Sequence, residues 1–164
     1  MARALKASGH RLPADLARDI EQLYEGLSKE ISHLEATCLG RGDCCDFDRR
    51  DHRLYASSLE IAYVREAHPE PLERRGSLCP FWRDRRCTER DRRPLGCRTY
   101  FCDRRARDSL QALYEEYHGR LREISCRYGY AWSYEPFVEG LLRSTETIPA
   151  ERPEQAGASS DRKG

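Results

Sequence analysis

The stretch CPFWRDRRCTERDRRPLGCRTYFC, residues 79–102, constrains the fold more than any other part of this chain. It holds Cys79, Cys87, Cys97 and Cys102 at gaps of seven, nine and four residues. Its other polar residues are largely arginine: from Arg83 to Arg107 there are ten Arg against four acids (Asp84, Glu89, Asp91, Asp103) and no Lys. Apolar surface is limited to Phe81, Trp82, Leu95, Tyr100 and Phe101. Burying so few side chains does not offset the conformational entropy of ordering a segment of this length. A metal centre held by thiolates is the natural alternative source of order.

Composition points the same way. The 164 residues fit one domain, and a hydrophobic fraction of 38% against 35% charged residues implies a small core that leans on an added staple. A net charge of +1 leaves no overall field to draw in nucleic acid or an anionic membrane. Arg outnumbers Lys 26 to 3, as a GC-rich bacterial genome would produce, so the ratio carries little functional weight. The eight cysteines are Cys38, Cys44, Cys45, Cys79, Cys87, Cys97, Cys102 and Cys126. The opening MARALKASGHRLPADLARDI has neither an apolar h-region nor a small-residue cleavage site. No run approaches the ~20 apolar residues of a membrane span. A cytoplasmic protein without a membrane partner is therefore expected, and in a reducing compartment clustered cysteines bind metal or do redox chemistry more often than they form disulfides.

Along the chain, residues 1–12 read as a flexible arm. Leu16, Ile20, Leu23, Tyr24, Leu27, Ile31 and Leu34 form a helical stripe between Pro13 and Ala36. In CLGRGDCCDF, Gly40 and Gly42 permit a tight backbone that gathers thiols, while Cys44 and Cys45, if extended, diverge. Ser57 and Glu60 make a capping box for a helix from about Ser58 to Ala67, ended by His68-Pro69. The cysteine-rich stretch reads as loop and short hairpin, with Arg85-Arg86 near the tip and Arg93-Pro94 at a bend. A third helix, capped by Asp103 or Asp108 and stopped by Gly129, carries Leu110, Leu113, Tyr114, Tyr117, Leu121, Ile124 and Tyr128. Cys126 on it is expected to be buried. A last helix spans about Glu135 to Leu142, and residues 144–164 have the composition of a disordered tail. The expected fold is mainly α: one small metal-stapled domain, residues 13–143, with a loop-rich cysteine core between the N-terminal helix and the C-terminal helices.

Structural zinc is usually chelated by C-x2-4-C pairs; this chain has no C-x2-C, and only Cys97-x4-Cys102 falls within the short range, along with the adjacent Cys44-Cys45. Iron–sulfur clusters span more space and accept irregular thiolate spacing. Four thiolates around either centre leave a charge near −2, which neighbouring arginines offset. Arg98, beside Cys97, is the candidate for that supporting role. His10, His33, His52, His68 and His118 are scattered, and only His52 and His118 merit testing as ligands.

The order Cys38-x2-Arg41-x2-Cys44-Cys45, Cys79-Pro80-Phe81, Cys87, Arg93-Pro94, Cys97-Arg98 and Tyr100 resembles the YkgJ-type cysteine-cluster family, described as a zinc- or iron-chelating domain with a CxxCxxCC motif. The resemblance covers roughly residues 38–102. Arg41 stands where that family has its second cysteine, so this chain reads C-x5-CC. The resemblance implies Cys38, Cys44, Cys45, Cys79, Cys87 and Cys97 as metal ligands, with Cys102, just past the family block, as a further one. It also includes an enzymatic relative, the flagellin lysine-N-methylase, which implies an iron–sulfur cluster.

Three functions compete. The first is a non-enzymatic metalloprotein whose iron–sulfur cluster (otherwise zinc) is structural or redox-active, with an unidentified protein partner. The second is an enzyme that uses the cluster to modify a protein side chain; no catalytic residue can be named, and neither G-x-G-x-x-G nor a P-loop is present. The third, a nucleic-acid-binding zinc protein, is disfavoured by the near-zero net charge and by Asp84, Glu89 and Asp91 among the arginines. Because metal binding and folding are coupled, Cys87→Ala or Cys97→Ala is expected to lose both metal content and cooperative unfolding, whereas Cys126→Ala keeps both; metal analysis with thermal denaturation checks this.

Overall fold

A computed structural model describes residues 11–34, 36, 38, 42–50, 52–100 and 104–143. The expected arm up to residue 10, the tail 144–164 and Cys102 lie outside the described residues. The chain is mainly helical. In order it forms α1 (Ala14–Ser32), a 3-10 turn (Asp43–Cys45), α2 (Phe47–Arg50), β1 (Tyr55–Ser57) and α3 (Ser58–Ala67). It continues with β2 (Trp82–Arg83), β3 (Arg86–Cys87), α4 (Leu95–Thr99), a second 3-10 turn (Arg104–Ala106), α5 (Arg107–Arg127), β4 (Tyr134–Pro136) and α6 (Phe137–Arg143). No described helix is long and apolar enough to cross a membrane.

The helical stripe of α1 buries Leu16, Ile20, Tyr24 and Leu27. It packs against α5, whose Leu110, Tyr117, Leu121 and Ile124 recur at helical spacing on one face. Asp19 meets Arg127 and Tyr128, and Glu30 meets Tyr117, so the two helices run antiparallel. Leu12, placed by the sequence in the arm, is buried with them. Tyr128, expected in the stripe, is exposed and donates its hydroxyl to Asp19 instead.

Helix α3 is apolar on two faces and divides the interior. Leu59 and Tyr63 join α1, α5 and Leu95 in one core. Ile61 and Val64 join Ala56, Phe81, Phe137, Leu141 and the buried residues Cys45 and Cys79 in the other. The segments carrying Cys45 and Cys79 therefore pack on α3 and α6, while α4, the short helix that carries Cys97, packs against α1 and α5. The capping box is formed as expected: Ser57 accepts from the Glu60 amide, and the Glu60 carboxylate accepts from the Ser57 amide.

That carboxylate does more than cap. Glu60 is only 2% exposed. Its Oε2 accepts from the Ser57 amide (2.8 Å) and hydroxyl (2.7 Å), and its Oε1 accepts from the Tyr24 hydroxyl (3.1 Å) and the Leu95 amide (2.7 Å). A buried carboxylate is tolerable when its lone pairs are filled in this way. One side chain thus ties α1, α3 and the start of α4 together.

Other differences from the sequence reading have local causes. Residues 134–136 are a strand, pairing antiparallel with β1 in the register Tyr55↔Pro136, Ala56↔Glu135, Ser57↔Tyr134; the last helix starts at Phe137, because its preceding residues are held in that ladder. Helix α5 begins after Ala106 without a side-chain cap, and Asp108 sits in its first turn, where an anion favours the helix dipole. Cys126 is exposed, not buried: Ile124 and Ser125 face inward, and the next step around the helix leads to solvent. The segment with Cys97 is helical, since Pro94 opens α4 with its fixed φ of −65°. Glu60→Ala removes the cap and strands the Tyr24 and Leu95 donors, so a loss of about 3 kcal/mol is expected; chemical denaturation measures it, and Ser57→Ala, which removes fewer bonds, should cost less.

Candidate metal centre

Three segments deliver thiols to one place. The first is the 3-10 turn carrying Cys44 and Cys45. Gly42 opens it at a φ of +68°, a left-handed conformation that an L side chain resists, and Cys45 donates its amide to the Gly42 carbonyl at 3.0 Å. The second is the β2–β3 hairpin with the residues before it. Asp84 (φ +45°) and Arg85 (φ +61°) are both left-handed between the paired residues Arg83↔Arg86 and Trp82↔Cys87, which is the geometry of a two-residue hairpin turn. The tip of this hairpin sits on Gly42: a Cβ there would lie 2.5 Å from the Arg85 carbonyl oxygen. The third segment is α4, which presents Cys97; its neighbour Gly96 packs so closely under Leu54 that a Cβ would come within 2.8 Å.

Cys45 is the common neighbour in the cluster. It shares one buried cluster with Cys79, against which Cys44 and Cys87 pack, and its backbone carbonyl accepts the Cys79 amide at 2.9 Å. Cys97 is close enough to feel the charges of Cys79, Cys44 and Cys87. Hydrogen bonds to Cys44, Cys79 and Cys87, followed by burial, hold the Cys45 proton in place and push its pKa up. The Cys45 thiol donates to its neighbours, and this hydrogen bond is the main cause that brings Cys44 down to about 6 and Cys87 down to about 7. Burial, then the neighbouring thiolate charges, push Cys97 up. The Cys87 thiol also donates to the Glu89 carbonyl at 3.2 Å. Because the segment 43–45 is a tight turn and not extended, Cys44 and Cys45 do not diverge as the sequence suggested; both belong to the cluster.

The other expected site residues are placed differently. Cys38 is exposed and is not among the groups that bear most on the ionisation of Cys44, Cys45, Cys87 or Cys97. Arg98 lays its guanidinium 4.0 Å over the Tyr24 ring and donates to the Arg93 carbonyl at 2.7 Å and to the Asp91 carbonyl. It clamps the Arg90–Pro94 bend to the core. The Arg93 guanidinium, which the sequence offered only as part of a bend, makes a smaller downward contribution at Cys44 and Cys87 and opposes the rise at Cys97, and Arg98 is also coupled to the Cys97 charge. His52 stacks on Tyr100 at 5.5 Å and meets Phe47 edge-on, and His118 lies among Tyr114, Trp132 and Tyr134; both rings have aromatic surroundings. His68 and Glu89 form a pair that the sequence gave no means of finding, since they are distant in the chain; Glu89 also accepts the Arg92 amide at 2.8 Å. Arg92, read from sequence as one of many solvated arginines, bridges Glu66 (2.8 Å) and the Tyr63 carbonyl (2.9 Å).

As a donor set the cluster suits a soft metal: thiolates are the ligands that zinc and iron–sulfur clusters take. Among the described residues, no group of three or more His, Cys, Asp and Glu side chains stands in the arrangement that holds a metal ion. Beside the thiols, an open cleft of about 640 Å³ shares Phe47 and Leu54 with the apolar setting of Cys45 and Cys79, and is lined further by His52, Arg53, Arg74 and Glu139. Comparisons with protein-family models, with curated proteins and with solved structures find no match for the chain. The resemblance to the YkgJ-type family accordingly rests on the cysteine pattern itself. Gly42→Ala sets a left-handed φ and a backbone contact against a new methyl group, so a loss of about 2 kcal/mol or more is expected; thermal unfolding reads it, and Gly76→Ala, also at positive φ but with nothing near its Cβ position, should cost less.

Proposed function

We propose that this chain is a small member of the YkgJ-type family that binds a metal centre through Cys44, Cys45, Cys79, Cys87 and Cys97, and that the centre is an iron–sulfur cluster serving a structural or electron-storing role. The observation that carries this reading is the meeting of five free thiols from three chain segments, with Cys45 and Cys79 buried in a core of their own. Thiols gathered in this way are expensive to leave as thiolates without a cation, and the positive charges coupled to them are those of Arg93 and, at Cys97, Arg98. Irregular spacing and the lack of chelating knuckles favour an iron–sulfur cluster over zinc. Such a group would supply one-electron chemistry or cross-linking. The chain's own contribution is to hold the five sulfurs in a largely apolar setting, to place Arg93 against their charge, and to let Cys38 or Cys102 complete the set.

An enzymatic role has one observation in its favour, the cleft that shares Phe47 and Leu54 with the thiol core. A substrate seated there would lie next to the centre. Anaerobic purification followed by iron, zinc and acid-labile sulfide determination is the deciding measurement. Iron with sulfide is the expected result; zinc without sulfide would replace the cluster by a zinc site, and a chain that holds neither metal would end the reading. A spectrum that reductant and S-adenosylmethionine both leave unchanged would remove the enzymatic alternative.

A further inference from the structure

The thiol cluster has a second chemistry open to it that needs no metal. Cys45 and Cys79 face each other across a short antiparallel pairing: Asp46 bridges Leu78, and one residue outward the Cys79 amide donates to the Cys45 carbonyl at 2.9 Å. Residues opposed in this way have Cα atoms roughly 5.5 Å apart, inside the span that a disulfide requires. Their side chains belong to the same buried cluster. The other neighbours of Cys45 are poorer partners. Cys44 is adjacent in sequence, so a bond to it would close a strained ring, and the Cys87 thiol is held by the Glu89 carbonyl.

We propose that the metal-free chain is a peroxide-responsive dithiol, in which Cys45 and Cys79 form a reversible cystine that excludes metal from the site. The inference rests on the metal-centre reading only for that last clause. Cys45 and Cys79 are each 5% exposed, whereas Cys44 is half-buried and reachable, so Cys44 is the entry point. Its sulfur attacks one oxygen of hydrogen peroxide; the O–O bond breaks, the Cys44 sulfur becomes a sulfenic acid, and water leaves. The Cys45 sulfur displaces the sulfenic oxygen as a second water, forming a transient Cys44–Cys45 bond. The Cys79 sulfur then attacks the Cys45 sulfur and releases Cys44 as a thiol. In sum, two thiols and one peroxide give one disulfide and two waters, the two electrons passing from sulfur to oxygen. The strain of the transient bond drives the last exchange towards the unstrained pair.

The test uses the full chain, purified anaerobically and divided into a portion stripped with a chelator and a portion reconstituted with iron and sulfide or with zinc. Each is treated with hydrogen peroxide, alkylated and mapped by mass spectrometry. The stripped portion is expected to yield a peptide pair joined through Cys45 and Cys79, reversed by a dithiol reductant, and to take up no metal until reduced; the reconstituted portion should form it several-fold more slowly. Cys44→Ser should slow the linkage several-fold without changing its end point. No cross-link, or one that joins Cys45 to any other thiol or omits Cys45, overturns the inference and leaves the metal reading untouched. A linkage in a chain that never binds metal would do the reverse.

Discussion

The buried carboxylate of Glu60 is the interaction on which the rest of the molecule depends. It fills its lone pairs with donors from three separate parts of the chain, the Tyr24 hydroxyl, the Ser57 cap and the Leu95 amide. Charge-assisted hydrogen bonds of this kind are stronger than neutral ones, and burial makes each geometrically demanding. Through Leu95 the carboxylate fixes where α4 begins, and α4 carries Cys97. Arg98 reinforces the same joint by lying over Tyr24, the residue that also donates to Glu60. The position of Cys97 is thus set by a polar network in the helical core.

The two cores divide the work. The larger, built from α1, α3 and α5, is an ordinary packing of apolar helical faces. The smaller is unusual in that cysteine side chains belong to it as apolar residues do. Free cysteine behaves as a small hydrophobe, so Cys45 and Cys79 can help bury α3 whether or not their sulfurs hold anything. The same residues serve the protein in two ways: as packing for the back of α3, and as the polarisable wall of the thiol cluster. The arginines, so conspicuous in the sequence, separate into roles: Arg92 and Arg98 brace the Arg90–Pro94 bend against Tyr63 and Tyr24, and Arg93 supplies charge to the thiols.

Local signals were legible from the sequence wherever one element explains them. The stripe of α1, the Ser57–Glu60 box and the Gly129 stop each depend on residues a few positions apart, and each is formed. The hairpin at Asp84-Arg85 is legible in kind but not in register, because Asp84 is a usual left-handed residue whereas Arg85 is not. What sequence could not give was anything set by two distant segments. Glu60 read as a cap; nothing in its neighbourhood indicated that the Leu95 amide would arrive there. Cys44 and Cys45 were expected to diverge because their backbone was taken as extended, and the turn that unites them follows from Gly42 packing against Arg85. Arg98, the candidate by adjacency to Cys97, is coupled to the charge of that thiol while lying over Tyr24; that Arg93 also bears on Cys44 and Cys87 has no signal in sequence adjacency.

The contact between Gly42 and the hairpin tip has a consequence for how the protein is made. A chain emerging from the ribosome presents Cys44 and Cys45 well before the hairpin that must rest on their turn, and before α4 and the Leu95 amide that secure Cys97. Contacts between segments so far apart in sequence form late, because loop closure must come first. During translation the early thiols therefore travel unsheltered, and the receptacle they belong to closes only after the greater part of the polypeptide has been released.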